Sequence, residues 1–334
     1  MEGQLKCPVC DSGGPFNPVE DTPEDTILKC NNCSLEFARS MQSRPAYYED
    51  SYYNATPALE KLEKLSYDDY LKAGKRLFRD TNWQPYNTGI KWIAEHLKPG
   101  ETVLDIGCGA GWLMAALESG GFKVFGLEVS QRIVDMLKIK GFRVLRGPLE
   151  RCQAGFCNPG AITMFEVLEH LQQPMGILKE IHTRFPASPL IISVPTPRSW
   201  TVNLGIRSYC DYPPNHLTRW AEKSLKLALN STGYKSVQFI YPRIPVKEIY
   251  GGIIIWIIFK LGLRKKGYFG EIKKAGEAKN KRDFLNNAVR IFYPLLNLLN
   301  KLAEALFLPF AAIIAMILNK KGFTSFCVVA IAQE

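Results

Sequence analysis

The sequence predicts an α/β fold, a parallel sheet with helices on both faces, preceded by a small module organised around cysteines. Three observations lead there. From residue 90 onward, short apolar runs that read as strands alternate with amphipathic stretches that read as helices, the pattern of strands joined by helical crossovers. The stretch "VLDIGCGAGWL" at 103–113 breaks an aliphatic run holding one acid into three glycines at alternate positions. Cys7 and Cys10 form one C-x2-C pair and Cys30 and Cys33 a second.

Residues 1–40 are too few to build a core of their own, and two C-x2-C knuckles place four thiolates around one Zn²⁺ that substitutes for it. A zinc ribbon is therefore expected there. Residues 41–89 read as a linker and helical cover, with "YYEDSYYN" at 47–54 and the helix-like "LEKLEKLSYDDYLKAGKRLF" at 59–78; the tyrosines suit packing onto the main domain. The core is expected over 90–242, with strands at 102–106, 123–128, 143–146, 161–165, 190–194 and 236–241. "FTSFCVVAIAQE" places a last strand at 325–332, within a closing core segment 323–334.

Between the two final strands, residues 243–322 hold 15 Lys/Arg against 5 Asp/Glu, so this segment carries the whole net charge of +10. It also holds the greasiest runs, "IYGGIIIWIIF" at 249–259 and "ALFLPFAAIIAMIL" at 305–318. A nucleic-acid surface would use the charge but not the apolar runs; a membrane surface uses both. Spanning a bilayer needs about 20 apolar residues, and Lys260, Lys301 and Glu304 interrupt these runs, so interfacial attachment is expected. The stripe Ile291, Leu295, Leu298, Leu299, Leu302 and Leu306 would equally serve a helical subdomain packed on itself. The start "MEGQLKCPVC" lacks a basic region followed by an apolar stretch, which points to a cytoplasmic protein with reduced or metal-bound cysteines, peripheral at the inner face of the membrane.

Gly107, Gly109 and Gly111 lie between the first core strand and its helix, where open α/β sheets bind ligands. Glycines let the backbone approach a nucleoside closely, the helix start offers free N–H groups, and Glu128 at the end of the next strand can accept from ribose hydroxyls. Two details argue against NAD. The dinucleotide fingerprint needs a small sixth residue, and here it is Trp112; and Asp105 sits inside a strand that dinucleotide enzymes keep apolar. Asp105 can instead organise the loop and attract a cationic amino acid group.

At this point the chain resembles the class I S-adenosylmethionine-dependent methyltransferases, whose first motif looks like "VLDIGCGAG". "FGLEVS" at 125–130, "ITMFEVLEHLQQP" at 162–174 and "IISVPTP" at 191–197 resemble later motifs of the same family. The resemblance implies a Rossmann-like seven-stranded sheet, interrupted by a hydrophobic, basic, helical insertion before its last strand. It also implies S-adenosylmethionine bound by Asp105, Gly107, Cys108, Gly109, Gly111, Glu128, Val129, Leu149, Phe165 and Glu166. The family often has Gly-Asp after the third strand to meet the adenine amino group; here Gly147-Pro148 stands there, leaving that contact to the Leu149 backbone or Glu150.

A hydroxyl acceptor needs a base. His170, after the fourth strand, and His216, in "YPPNHLTRW" at 212–220, lie at the edge where the methyl group would be offered. Glu166-x-x-Glu169-His170 also resembles the segment of ubiquinone-biosynthesis O-methyltransferases that binds a divalent ion, which admits Mg²⁺ here. The order of ribbon, paired tyrosines and methyltransferase core resembles bacterial enzymes of surface-glycan and nucleotide-sugar biosynthesis, implying a sugar, glycan or lipid-linked acceptor near the membrane. The alternatives are an RNA methyltransferase, against which the acidic ribbon argues, and a non-catalytic, membrane-associated interaction protein on the same scaffold, against which the intact glycine loop argues. Nothing in the sequence sets the oligomeric state.

Overall fold

The computed structural model describes residues 5–22, 24–43, 61–79, 85–149, 159–203, 211–260, 306–321 and 327–333. In chain order the elements are β1 (Phe16–Asp21), β2 (Thr26–Cys30), β3 (Glu36–Ala38), α1 (Tyr67–Arg79), α2 (Tyr86–His96), β4 (Thr102–Ile106), α3 (Trp112–Ser119), β5 (Lys123–Glu128), α4 (Gln131–Ile139), β6 (Val144–Arg146), β7 (Ala161–Phe165), α5 (Pro174–Arg184), β8 (Leu190–Pro195), the one-turn α6 (Trp200–Asn203), β9 (Thr218–Arg219), α7 (Glu222–Ser231), β10 (Ser236–Ile240), α8 (Val246–Lys260), α9 (306–320) and β11 (Cys327–Gln333). They fall into two compact units: Met1–Pro197 with Cys210–Pro242 and Phe326–Glu334, and Arg198–Tyr209 with Arg243–Ser325.

The first unit contains both sheets. The larger has seven strands in the order β10-β11-β8-β7-β4-β5-β6. β4 pairs in parallel with β5 and β7, β5 with β6, and β7 with β8. β7 (AITMF) and β8 (LIISVP) are buried at every residue, as expected for central strands covered on both faces. The alternation of strands and helices foretold this Rossmann-like sheet. It did not foretell that β11 enters between β8 and β10 antiparallel to both; strand direction leaves no mark on an apolar run.

The smaller sheet has four strands, β1-β2-β3-β9, so the cysteine module is extended by a strand from "HLTRW", far along the chain. The helix-like run at 59–78 is also interrupted. Ser66 Oγ donates to Asp69 Oδ2 (2.7 Å) and accepts from the Asp69 N–H (3.2 Å), while the Ser66 N–H reaches Asp69 Oδ2 (3.0 Å). This is a capping box, and it starts α1 afresh at Tyr67. The tyrosines at 47–54 and the apolar stripe 291–302 lie outside the described residues.

α1 crosses α3 at backbone contact. A Cβ on Gly74 would stand 2.4 Å from the Ala115 carbonyl oxygen. Beside it, the fully buried Tyr70 stacks on Trp112 (centroids 4.7 Å apart, 22° between planes) and meets the edge of Phe142 at 5.4 Å. Trp112 is thus the platform that α1 covers, which explains why the sixth position of the glycine loop is large.

In the second unit, Trp200, Ile244, Ile249, Ala311 and Ala315 form a small core. The Trp200 Nε1–H donates to Glu248 Oε1 (2.6 Å), and Asn319 Oδ1 accepts from the Ile244 N–H (2.9 Å). Leu306, Phe310, Ile313, Met316 and Ile317 of α9 are 44–63% exposed and recur at helical spacing. Among the described residues, no helix is long and apolar enough to cross a membrane.

Gly74→Ala tests the crossing of α1 on α3. Alanine is the better helix former by about 1 kcal/mol, but forcing a methyl into a packed backbone contact costs about 1–3 kcal/mol. Chemical denaturation should show a net loss of stability, and a more stable variant would contradict so close an approach.

Candidate active site

The apolar strand β4 ends in Gly107-Cys108-Gly109-Ala110-Gly111 before α3 begins. Gly107, Gly109 and Gly111 have φ of 73°, 49° and 78°, the left-handed region that favours glycine. Side chains are excluded there for a second reason: a Cβ on Gly107 would lie 2.4 Å from Val167 Cγ2, and one on Gly111 2.6 Å from Leu137 Cδ2. The loop is tied to β5 by the Gly107 and Cys108 N–H groups, both donating to the Leu127 carbonyl (2.8 and 3.0 Å). Gly111, the N-cap of α3, gives no side-chain cap, so the helix start keeps N–H groups for a ligand.

Glu128 is the second tether. Its Oε2 accepts from the Gly109 N–H (2.9 Å), and its Oε1 from the N–H groups of Val129 (2.8 Å) and Ser130 (3.0 Å). Burial pushes its pKa up, and the three donors work against that rise. Asp105 is buried one strand away. Its Oδ1 accepts from Thr163 Oγ1 (2.8 Å), while its Oδ2 has no hydrogen-bond partner. Burial pushes its pKa up to about 7, against the Thr163 bond and with the Glu128 charge adding to the rise. An orphaned buried carboxylate oxygen beside a glycine cradle fits a ligand with a cationic group, as the amino acid end of S-adenosylmethionine provides.

Not every expected cofactor residue turns its side chain to the loop. Cys108 is buried, with its Sγ 2.7 Å from where a Gly126 Cβ would lie, and burial holds its thiol well above the usual range. Phe165 meets the edge of Tyr86 (5.3 Å) and fills the space left by Gly89. Val129 is exposed and Leu149 buried; Glu150 lies outside the described residues. Glu166 adopts φ 54°, with its Oε1 accepting from Ser193 Oγ (2.7 Å). Thr163 and Ser193 escaped the sequence reading, although each is a lone polar residue in an apolar strand, and the registers Asp105↔Thr163 and Phe165↔Ser193 carry them to the site.

Beyond β7 the structure gathers Glu169, His170 and His216, whose ligand atoms lie within 4.8 Å of one another. The imidazole centroids are 4.7 Å apart, and Glu169 Oε1 stands 4.0 Å from His170 Nε2 and 3.9 Å from His216 Nε2. Glu169 is fully buried with neither oxygen hydrogen-bonded. Burial, with the neighbouring Glu166 charge, raises its pKa well above the carboxylate range. Burial lowers His170, and lowers His216 further with help from the His170 and Arg219 charges, so both imidazoles are neutral at pH 7. His170 Nδ1 is 2.8 Å from the Asn215 carbonyl oxygen. A carbonyl only accepts, so Nδ1 carries a proton, and the Glu166 backbone also hydrogen-bonds this imidazole. His216, distant in sequence, joins Glu169 and His170 in this cluster only through the fold. His96 and His182 lie on α2 and α5.

In the ribbon, Cys7 and Cys33 sulfurs are 3.5 Å apart, as are Cys10 and Cys30, and all four lie within 4.8 Å of one another. Four sulfurs bound to one Zn²⁺ at about 2.3 Å stand about 3.8 Å apart, so the cluster fits a tetrahedral ion. None of the four is in a disulfide. A hydrogen bond with Cys33 lowers the Cys7 pKa; burial opposes this, and bonds with the Cys10 and Val9 backbone support it.

The family model described as "Methyltransferase domain" matches residues 78–238. The ubiquinone biosynthesis O-methyltransferase of Coxiella burnetii (strain RSA 493 / Nine Mile phase I) is 27% identical over 174 residues, covering 43% of this chain and 71% of the relative. That of Paraburkholderia xenovorans is 30% identical over 132 residues, covering 36% and 53%. A solved S-adenosylmethionine-dependent methyltransferase from Archaeoglobus fulgidus aligns with a TM-score of 0.44 at 16% identity, over 78% of this chain and 97% of the other. The matched segment carries the glycine loop and its two buried acids, and the chain is an S-adenosylmethionine-dependent methyltransferase.

Proposed function

We propose that the chain transfers a methyl group to a hydroxyl of a lipid-linked acceptor at a membrane surface, with His170 as the base. The observation that carries this reading is the placement of His170: its Nδ1 bonds the Asn215 carbonyl (2.8 Å), which orients the ring, and a positioned imidazole is the side chain most often used to take a hydroxyl proton. Val167, three residues earlier, packs against Gly107 of the cofactor loop, so base and loop are neighbours. When bound, the cofactor supplies an activated methyl group. Asp105 would meet its cationic amino acid end and Glu128 its ribose, while the glycine backbone holds it in line with the acceptor.

The acceptor class rests on two supports. The relatives named above act, by their names, in ubiquinone biosynthesis as O-methyltransferases, not on a sugar or glycan acceptor. The exposed apolar face of α9 ends in the exposed Lys320 and Lys321, and Arg264, Lys265 and Lys266 add charge in the same segment of the sequence. Together these suit an anionic bilayer surface. A lipid-borne sugar hydroxyl remains within this class.

A divalent ion is the second reading, favoured by the two unpartnered oxygens of buried Glu169 between two imidazoles. One carboxylate and two imidazoles suit a borderline transition ion better than Mg²⁺. We also read the four ribbon cysteines as a structural Zn²⁺ site.

Three measurements bear on these assignments. Glu128→Ala removes the ribose contact and the tether on Gly109, a loss of about 1–3 kcal/mol, or roughly 5- to 150-fold in affinity. Calorimetry with S-adenosylmethionine should show this loss, and methyl label supplied as the cofactor should pass to a lipid extract with the unmutated protein only. Label entering RNA or water-soluble glycan instead would reject the acceptor class.

Stability against pH checks Asp105. Its pKa is about 3.9 when unfolded and about 7 when folded, so the folded state prefers the protonated carboxyl. That preference stabilises the fold fully below pH 4 and disappears as the pH rises through 7. Melting curves should show the unmutated protein gaining stability relative to Asp105→Asn as the pH is lowered from 8 to 5.

The membrane contact predicts sedimentation with vesicles containing phosphatidylglycerol, weakening as salt is added. Replacing Phe310 and Ile313 with serine should lower partitioning at least about tenfold, since each apolar side chain contributes about 1.5–3 kcal/mol when fully buried, and should leave cofactor binding intact.

A further inference from the structure

The segment that carries His216 belongs to two structures at once. Its end, β9, is the fourth strand of the ribbon sheet, in register Glu36↔Arg219 and Phe37↔Thr218, and the Ala38 N–H donates to the Leu217 carbonyl (2.8 Å). On its other side, the Leu217 N–H donates to the Glu169 carbonyl (2.7 Å), and the Asn215 carbonyl fixes His170. The strand that leads out of the cysteine knuckle and the residues flanking both histidines thus share one short stretch of backbone.

A part-buried ion pair locks the junction. Arg219 Nη1 lies 3.2 Å from Glu20 Oε2 on β1 and 3.8 Å from Glu36 Oε2 on β3. Arg219 Nη2 also donates to the Asp211 carbonyl (3.2 Å), and its guanidinium lies 5.5 Å over the Tyr212 ring. The Tyr212 hydroxyl in turn donates to the other oxygen of Glu20 (2.9 Å). The N–H groups of Asn215 and His216 both donate to the Tyr212 carbonyl (3.0 and 3.1 Å). Glu20 therefore grips the segment at both ends, through Tyr212 before His216 and Arg219 after it. Such a fork needs a planar guanidinium, which lysine does not offer.

We propose that the ribbon positions the His170–His216 pair, with Glu20 and Arg219 as positioning residues, so that the zinc-bound state of the cysteine cluster sets the geometry of the acceptor-side histidines. The four thiolates hold the strand order of the small sheet, β9 completes that sheet, and the histidines follow β9. This rests on the reading above that the histidines serve the acceptor, but it is tested without any acceptor.

The chain has four histidines, His96, His170, His182 and His216, so the full-length protein labelled with ¹³C in its imidazoles gives a spectrum of four ring signals, assignable with His→Gln variants. Metal analysis fixes the zinc state, expected at about one equivalent for a four-thiolate site and absent in Cys30→Ser. Glu20→Gln and Arg219→Lys, with zinc retained, should shift or broaden the signals of His170 and His216 and leave those of His96 and His182 in place. Cys30→Ser, which removes zinc at the cysteine cluster alone, should move the same two signals in the same direction. If the four signals stay unchanged in both variants, or all four move equally, the ribbon is a passive appendage or a general support and the proposal is wrong. Calorimetric binding of S-adenosylmethionine, measured on the same samples, reads the methyltransferase assignment separately; it should change less than about twofold in Glu20→Gln, well under the tenfold that 1.4 kcal/mol represents.

Discussion

The Glu128 carboxylate, taken out of water at the end of β5, must find donors, and it finds them in three backbone N–H groups. Two belong to the turn into α4 and one to the glycine loop. An isolated buried carboxylate would be costly enough to take up a proton; with these partners it becomes the point where two successive strand-to-helix turns are joined. The loop conformation, the start of α3 and the platform of Trp112 beneath α1 all follow from where that carboxylate sits. The acid that sequence reasoning assigns to the ribose is therefore also an internal brace for the glycine loop.

Three buried acids crowd one edge of the sheet: Asp105, Glu128 and Glu169. Each is pushed toward its neutral form by burial, so each destabilises the fold when ionised. They differ in how far the protein satisfies them. Glu128 has all its donors, Asp105 has one oxygen satisfied, and Glu169 has neither. The unsatisfied oxygens lie where ligands are expected, while the satisfied carboxylate lies where the backbone must be held. Local strain at Glu166, φ 54°, belongs to the same picture, since a left-handed non-glycine residue persists only where its surroundings hold it.

The strands of the core, the glycine loop and the cysteine knuckles were legible because each depends on local sequence: apolar period, absence of Cβ, spacing of thiols. What depended on contacts far apart in the chain was not. Nothing in "HLTRW" announces that Thr218 and Arg219 join the ribbon sheet, because a two-residue strand leaves no periodic signal. His216 enters the cluster through that pairing, which no local pattern in the sequence marks. The burial of the Cys108 and Phe165 side chains depends on neighbours distant in the chain, Gly126 and Gly89, which the local motif does not reveal. The break before α1 was legible in principle, since Ser66 and Asp69 have the spacing of a capping box, but the apolar period runs through it.

Among the described residues β10 has one ladder partner, β11, and residues 241–326 are synthesised between them. Until β11 leaves the ribosome, the β8 edge stays open and β10 has nothing to pair with, while the apolar runs of the second unit are already outside. The nascent chain therefore passes through a stage in which an unpaired hydrophobic strand edge and a greasy segment are exposed together, a state prone to wrong pairing. The antiparallel closing strand thus makes the completion of the sheet wait for the end of the segment it follows.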